Sequence, residues 1–151
     1  MSGMAEIRLA AASDAQDLAR IHRAAIDAAM PWLPRLHTPD EDLAFFAQRV
    51  LQEESVLVAE VGGSICGFIS FAPGWVNHLY IAPDKTGRGL GSALLARAMR
   101  ANTTLQLWTF QENHKARRFY AGHGFREVEL TDGRRNEERT PDVRMEWGPI
   151  P

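Results

Sequence analysis

Leu79-Tyr80-Ile81-Ala82-Pro83-Asp84-Lys85-Thr86-Gly87-Arg88-Gly89-Leu90-Gly91-Ser92 runs an apolar segment into three glycines at alternate positions, and a helical pattern follows at once. The spacing predicts a strand, a tight turn and a helix. Glycines at such a turn let the backbone approach a ligand closely and direct its N–H groups outward. The start of the helix adds unpaired N–H donors and the positive end of its dipole, so the place suits a pyrophosphate. The plain alternative is a strand-to-helix turn that binds nothing.

Two other phosphate loops are excluded by spacing. A P-loop closes on Gly-Lys-Ser/Thr, and no Lys follows these glycines. A dinucleotide fingerprint spaces its glycines G-x-G-x-x-G, whereas this run reads Gly87-x-Gly89-x-Gly91.

Working outward, Ile7-Arg8-Leu9 reads as a short first strand. Ser13-Asp14-Ala15-Gln16 is a capping-box pattern opening a helix with Leu18, Ile21 and Ala25 on one face. Met30-Pro31-Trp32-Leu33-Pro34 ends it, because proline cannot continue a helix interior. Thr38-Pro39-Asp40-Glu41 is a second capping box, and Leu43, Phe46, Val50 and Leu51 form the apolar stripe of the helix it opens. Strands at Val56–Val61 and Ser64–Phe71 flank Gly62-Gly63, a two-residue hairpin signal. Trp75–Ile81 is the next strand. The third helix turns Leu90, Leu94, Leu95, Ala98 and Met99 inward. Leu105–Thr109 is a strand, Asn113–Ala121 a fourth helix closed by Gly122 or Gly124, and Val143–Trp147 the last strand. Strands alternating with helices imply an α/β sandwich of mixed pairing, read as a single domain over 1–151.

Composition narrows the function classes. Hydrophobic residues make up 45% and charged residues 24%, ordinary for a globular chain. A net charge of −2 gives no general attraction to nucleic acid or to an anionic membrane. No apolar run approaches the ~20 residues of a membrane span. The N-terminus shows neither a basic nor an apolar leader pattern. Cys66 has no second cysteine to pair with and lies in an apolar run, so a packed thiol and a cytoplasmic location are expected. His22, His37, His114 and His123 show no metal-ligand spacing, and no metal is expected.

A second motif lies downstream: Trp108-Thr109-Phe110-Gln111-Glu112-Asn113-His114-Lys115-Ala116-Arg117-Arg118-Phe119-Tyr120-Ala121-Gly122-His123-Gly124-Phe125. The two together resemble the GNAT superfamily of acyl-CoA N-acyltransferases. The first falls on its Gln/Arg-x-x-Gly-x-Gly/Ala pattern as Thr86-Gly87-Arg88-Gly89-Leu90-Gly91, with Thr86 a departure from the usual Gln or Arg. The second resembles its strand-Asn-helix signature. The likeness covers residues 75–125 well and residues 1–55 only in layout.

The resemblance implies a mixed, mostly antiparallel sheet of six to seven strands, about four helices and splayed central strands. It implies acetyl-CoA as co-substrate, with Leu79, Tyr80 and Ile81 offering backbone groups to the pantetheine arm. Thr86, Gly87, Arg88, Gly89, Leu90, Gly91 and Ser92 would form the pyrophosphate loop. Asn113, Ala116 and Phe119 would line the arm, though Asn113 also suits a helix cap. Lys115, Arg117 and Arg118 face either a 3′-phosphate or solvent. By the same resemblance Tyr120 protonates the departing thiolate; its plainer role is core packing. A backbone N–H near Leu79 or Tyr80 would serve as oxyanion donor.

Many members carry a Glu on the strand that here reads Trp75-Val76-Asn77-His78-Leu79-Tyr80-Ile81. His78 falls where the arylalkylamine acetyltransferases carry a histidine, and is the expected general base, titrating near neutrality; otherwise it is an ordinary strand residue. The acceptor site is expected between the Met30–His37 turn and the Thr131–Asp142 connection. Trp32 would be its wall, and Glu137 and Glu138 would attract a cationic amine unless they pair with Arg134, Arg135, Arg139 or Arg144. The reaction expected is acetyl transfer to a small primary amine by direct attack in a ternary complex, with a homodimer as a further expectation. The alternatives are a protein or peptide N-terminal acetyltransferase, or an acyl-CoA sensor without turnover.

Overall fold

A computed structural model describes residues 5–149. Its sheet has seven strands: β1 (Glu6–Leu9), β2 (Ser55–Val61), β3 (Ser64–Ala72), β4 (Trp75–Ile81), β5 (Leu105–Phe110), β6 (Arg126–Leu130) and β7 (Asp142–Trp147). They lie in the order β1-β2-β3-β4-β5-β7-β6. Every neighbouring pair is antiparallel except β4 and β5, which run parallel. The mixed, mostly antiparallel sheet is therefore as expected. The strand not named from the sequence is β6, an edge strand whose residues are largely exposed and none of them buried.

Helix α1 (Ala15–Ala29) follows a 3-10 turn at Ala12–Asp14. Helix α2 starts at Pro39–Phe45 and continues through a π turn, Phe46–Val50, into a last turn, Leu51–Glu53. Helix α3 is Leu90–Ala101 and α4 is His114–Gly122. The second capping box forms as expected. Thr38 Oγ1 accepts from the Glu41 N–H at 3.1 Å, and Glu41 Oε1 accepts from the Thr38 N–H at 2.8 Å. The first box does not form at Ser13. Instead Asp14 accepts from the Ala11 N–H at 2.7 Å and from Arg8 at 2.8 Å, so the start moves back toward β1. Arg8 also holds Glu60 of β2 at 2.6 Å, which ties the helix start to the sheet edge.

One layer of core lies on each face of the sheet. Leu94, Leu95 and Ala98 of α3 pack with Val76, Leu105, Leu107, Val143 and Met145. Leu18 and Ile21 of α1 pack with Phe46, Val50, Val58 and Phe68 on the other face. The π turn adds one residue to a helical turn and rephases the α2 stripe. Phe46 and Val50 are fully buried, while Leu43 is left at the rim. At Gly62 and Gly63, φ values of +58° and +82° make the β2–β3 hairpin turn that the Gly-Gly pair predicts. Among the described residues no helix is long and apolar enough to cross a membrane.

Candidate active site

The parallel strands β4 and β5 pair only at their beginnings. Trp75 sits opposite Gln106, whose N–H donates to the Gly74 carbonyl at 2.8 Å; beyond that point the strands diverge. The facing edges from Asn77 and Leu107 onward are left without a strand partner. Unpaired backbone edges of this kind accept an extended ligand as an added strand. A cavity of about 100 Å³ lies in the opening, lined among others by Met30, His78, Tyr80, Asn113 and Tyr120.

A bulge in β4 decides which side chains reach this cleft. Phe71 pairs with Val76 and Ser70 with His78, so Asn77 is the extra residue. Before the bulge Val76 faces α3 and α4; after it Leu79 and Ile81 keep that face. His78 and Tyr80 turn toward α1 and α2, where His78 lies 5.3 Å from Phe46 and 5.8 Å from His22 between ring centroids. Without the extra residue, strict alternation would have put His78 beside Val76.

His78 Nδ1 lies 2.7 Å from the Oγ of Ser70, a fully buried residue. Among the described residues this is the one hydrogen bond of the Ser70 side chain. If the serine donates, its proton is satisfied and the histidine carries its own on Nε2. The reverse tautomer would leave a buried hydroxyl proton without an acceptor, which costs more. Burial pushes the His78 pKa down to about 4. This corrects the expectation of a base titrating near neutrality: desolvation disfavours the imidazolium, and the ring is neutral at pH 7. Its neighbour His22 is likewise pushed down to about 4, by burial first and by His78 second.

The glycine loop has the conformation its spacing predicts. Gly87 and Gly89 adopt φ of +77° and +79°, and Gly89 is the N-cap of α3 with no side-chain cap. A Cβ built on either would meet nothing within 4 Å, so the space above both is open. The first N–H groups of α3 have no intrahelical acceptor by geometry. Open space over uncapped donors fits the diphosphate of coenzyme A. Gly91 instead faces Phe119, 3.4 Å from where its Cβ would be, and Leu90 is buried as an anchor. The Thr86 hydroxyl donates to the Pro83 carbonyl at 3.3 Å, so it braces the turn. Ser92 Oγ lies 3.0 Å from His123 Nε2, and His123 Nδ1 lies 2.8 Å from the Phe119 carbonyl. The ring thus links α3 to α4. Arg88 is exposed beside the loop. Of the three basic residues on α4, Arg117 is engaged by Glu127 and the Gln111 carbonyl, both at 2.7 Å.

Asn113 caps α4 by accepting from the Ala116 N–H at 3.2 Å, and both residues line the cleft. Tyr120 is buried at the cleft, and its hydroxyl makes no hydrogen bond to the protein among the described residues. Burial raises its pKa, with Tyr80 adding to the effect, so the phenol stays protonated. The Tyr80 phenol is raised to about 12, by burial first and then by the charge of Glu138.

The two segments expected to frame an acceptor do meet. His37 of the α1–α2 turn contacts Glu137 of the β6–β7 loop, and Trp32 lies edge-on to Phe110 at 6.4 Å. Glu137 is therefore engaged at the rim, whereas Glu138 lines a second cavity of about 800 Å³ between β5 and the β6–β7 loop. Trp108, Thr109 and Phe110 line both cavities, so the two share a wall.

The acetyltransferase (GNAT) domain model matches residues 52–127. The chain belongs to the GNAT acetyltransferase family. An uncharacterized N-acetyltransferase of Archaeoglobus fulgidus is 26% identical over 142 residues, covering 82% of this chain and 95% of that one. An L-amino acid N-acyltransferase, MnaT, of Escherichia coli is 34% identical over 102 residues, covering 60% and 59%. Among solved structures, apo YjaB from Escherichia coli superposes with a TM-score of 0.80 at 22% identity, covering 97% of this chain and 99% of that one. A putative acetyltransferase from Salmonella typhimurium, yncA, solved with acetyl-CoA, gives a TM-score of 0.72 at 25% identity with 98% of both chains covered.

In this GNAT chain, sequence reasoning missed Ser70 beside the cleft, and reached Met30 only as the start of a turn expected to frame the acceptor. Met30 ends α1 and donates no motif, yet its sulfur receives the Asn113 amide at 3.6 Å. Ser70 becomes relevant only through the β4 bulge, and the bulge positions Val76, Asn77 and His78 include no glycine or proline to signal it.

Proposed function

We propose that the chain transfers an acetyl group from acetyl-CoA to the primary amine of a small molecule, by direct attack in a ternary complex. The observation that carries this reading is the Tyr120 hydroxyl, which lines the β4–β5 cleft with no protein hydrogen bond among the described residues, in a chain whose glycine loop is open and uncapped. The family supports the activity, and the name of the amino-acid-specific relative supports a small acceptor.

Acetyl-CoA supplies an activated acyl thioester. Thr86 through Ser92 would hold its diphosphate, with Gly87, Gly89 and the first amides of α3 as donors and Arg88 as counter-charge. The free backbone edge at Leu79, Tyr80 and Ile81 would hold the pantetheine arm, against Asn113, Ala116 and Phe119 of α4. The amine nitrogen bonds to the acyl carbon as the carbon–sulfur bond breaks. Of the two protons the ammonium loses, one passes to solvent and one ends on sulfur, delivered by Tyr120 Oη, which is then reprotonated. Burial keeps the phenol protonated, so its proton is present to be delivered. His78 is the second proposed catalytic residue, as a neutral Nε2–H donor to the reacting groups in place of the expected base. Trp32, Glu137 and Glu138 would border the acceptor.

Measuring thiol release from acetyl-CoA against a panel of amines tests the reading. Acceptor-dependent thiol release with equimolar N-acetylated product is expected. Coenzyme A binding without turnover on any amine would overturn it in favour of a sensor.

A further inference from the structure

The 800 Å³ cavity carries several charges, most of them already matched. Glu129 is held by Arg144 at 3.0 Å, and Asp132 by Arg134 at 3.1 Å. Asp142 accepts from Asn136 Nδ2 at 3.1 Å and from the Thr131 hydroxyl. Two charged lining side chains, Arg135 and Glu138, make neither an ion pair nor a hydrogen bond among the described residues, whereas Asp142 is held by neutral donors. One cation and one anion are thus left facing the same space.

The cavity that both residues line shares Trp108, Thr109 and Phe110 with the small cleft where Tyr80 and Tyr120 sit, so the two spaces adjoin. Trp108, which is 44% exposed, and Phe110 form an apolar wall running from one cavity into the other. The loop bearing both charged residues is held in one shape. Asn136 donates to the Thr140 carbonyl at 2.6 Å and accepts from the Thr140 N–H at 3.1 Å, and Gly133 packs directly against the Thr140 backbone.

We propose that the acceptor is an α-amino acid bound as a zwitterion, its carboxylate on Arg135, its ammonium beside Glu138 and its side chain along Trp108 and Phe110. This assignment rests on the acetyl-transfer reading above and adds to it the group that selects the acceptor. A guanidinium presents paired donors that match a carboxylate, and such charge-assisted contacts are the strong ones. A simple amine would leave Arg135 unmatched, and a polyamine would add a cation next to it. A lysine side chain within a peptide brings no carboxylate to this position.

The test uses two matched series, each an amino acid, its amide and its decarboxylated amine, built on methionine and on phenylalanine. With the full-length protein and acetyl-CoA, kcat/KM for the amino acid should exceed that for the amide about tenfold or more. Arg135→Gln should collapse that ratio by raising the amino-acid KM, and Arg135→Lys should restore part of it. The KM for acetyl-CoA and the Tm of each variant report any general damage to the fold. Amides or decarboxylated amines used as well as the amino acids, or Arg135→Gln weakening all acceptors alike, would overturn the assignment while acetyl transfer stands. No thiol release with these series, a polyamine or a lysine peptide would remove the acetyl-transfer reading and this assignment with it.

Discussion

Replacing Gly89 by alanine separates ligand binding from folding. Gly89 caps α3 at φ +79°, a left-handed conformation that costs an L-residue about 1–2 kcal/mol. No atom lies within 4 Å of the added Cβ, so there is no steric cost inside the folded chain. Alanine also restricts the unfolded chain, which offsets roughly 0.4–1 kcal/mol. The net loss is about 1 kcal/mol, a fall in Tm of roughly 2–4 °C for a chain of this size. The methyl group does, however, occupy the open space where a diphosphate must come within hydrogen-bond distance of the loop amides. Calorimetric titration should therefore show Kd for coenzyme A rising about tenfold or more, against a small change for pantetheine, which lacks the diphosphate. Unchanged coenzyme A affinity, or equal weakening of both ligands, would refute the assignment of the loop.

Two histidines held neutral make stability depend on acid. His22 and His78 have folded pKa values near 4, below the ordinary 6.5, so the unfolded chain takes up protons first as pH falls. Stability should drop between about pH 6.5 and 4, by a few kcal/mol for the two together; a flat urea midpoint across that window would contradict it. His78→Gln keeps an N–H donor where His78→Ala does not, so Gln should retain most of the kcat/KM that Ala loses. Equal impairment of both, with loss of a titration near neutrality, would restore the base role. Gly133→Ala places a Cβ 2.3 Å from the Thr140 carbonyl carbon at φ +84°, and should cost about 3 kcal/mol or more, lowering Tm by roughly 6–12 °C. A loss no larger than that of Gly89→Ala in thermal denaturation would contradict the rigid loop.

The glycine loop, the Asn113 cap and the Gly62-Gly63 turn were legible because each rests on local backbone chemistry. A left-handed turn or a missing cap donor leaves its mark within three or four residues. The acceptor side was legible only as a region. Its geometry depends on how two loops distant in sequence meet, as His37 and Glu137 do. The environment of His78 was not legible for a related reason. The Asn77 bulge chooses its face, and burial against Phe46 and His22 sets its pKa, and neither is written in the strand itself. Ser13 misled because a capping pattern is a competition. Asp14 had a stronger claim on the helix start, through Arg8 on the neighbouring strand.

The most direct measurement is the turnover of Tyr120→Phe beside its affinity for coenzyme A. Removing one oxygen from a ring packed against Phe119 and Phe125 leaves the core intact. Thiol release is expected to fall by a factor of about 10² or more, with Kd for coenzyme A within about twofold of the parent. Undiminished turnover in that variant would contradict a proton delivered from Tyr120 to sulfur.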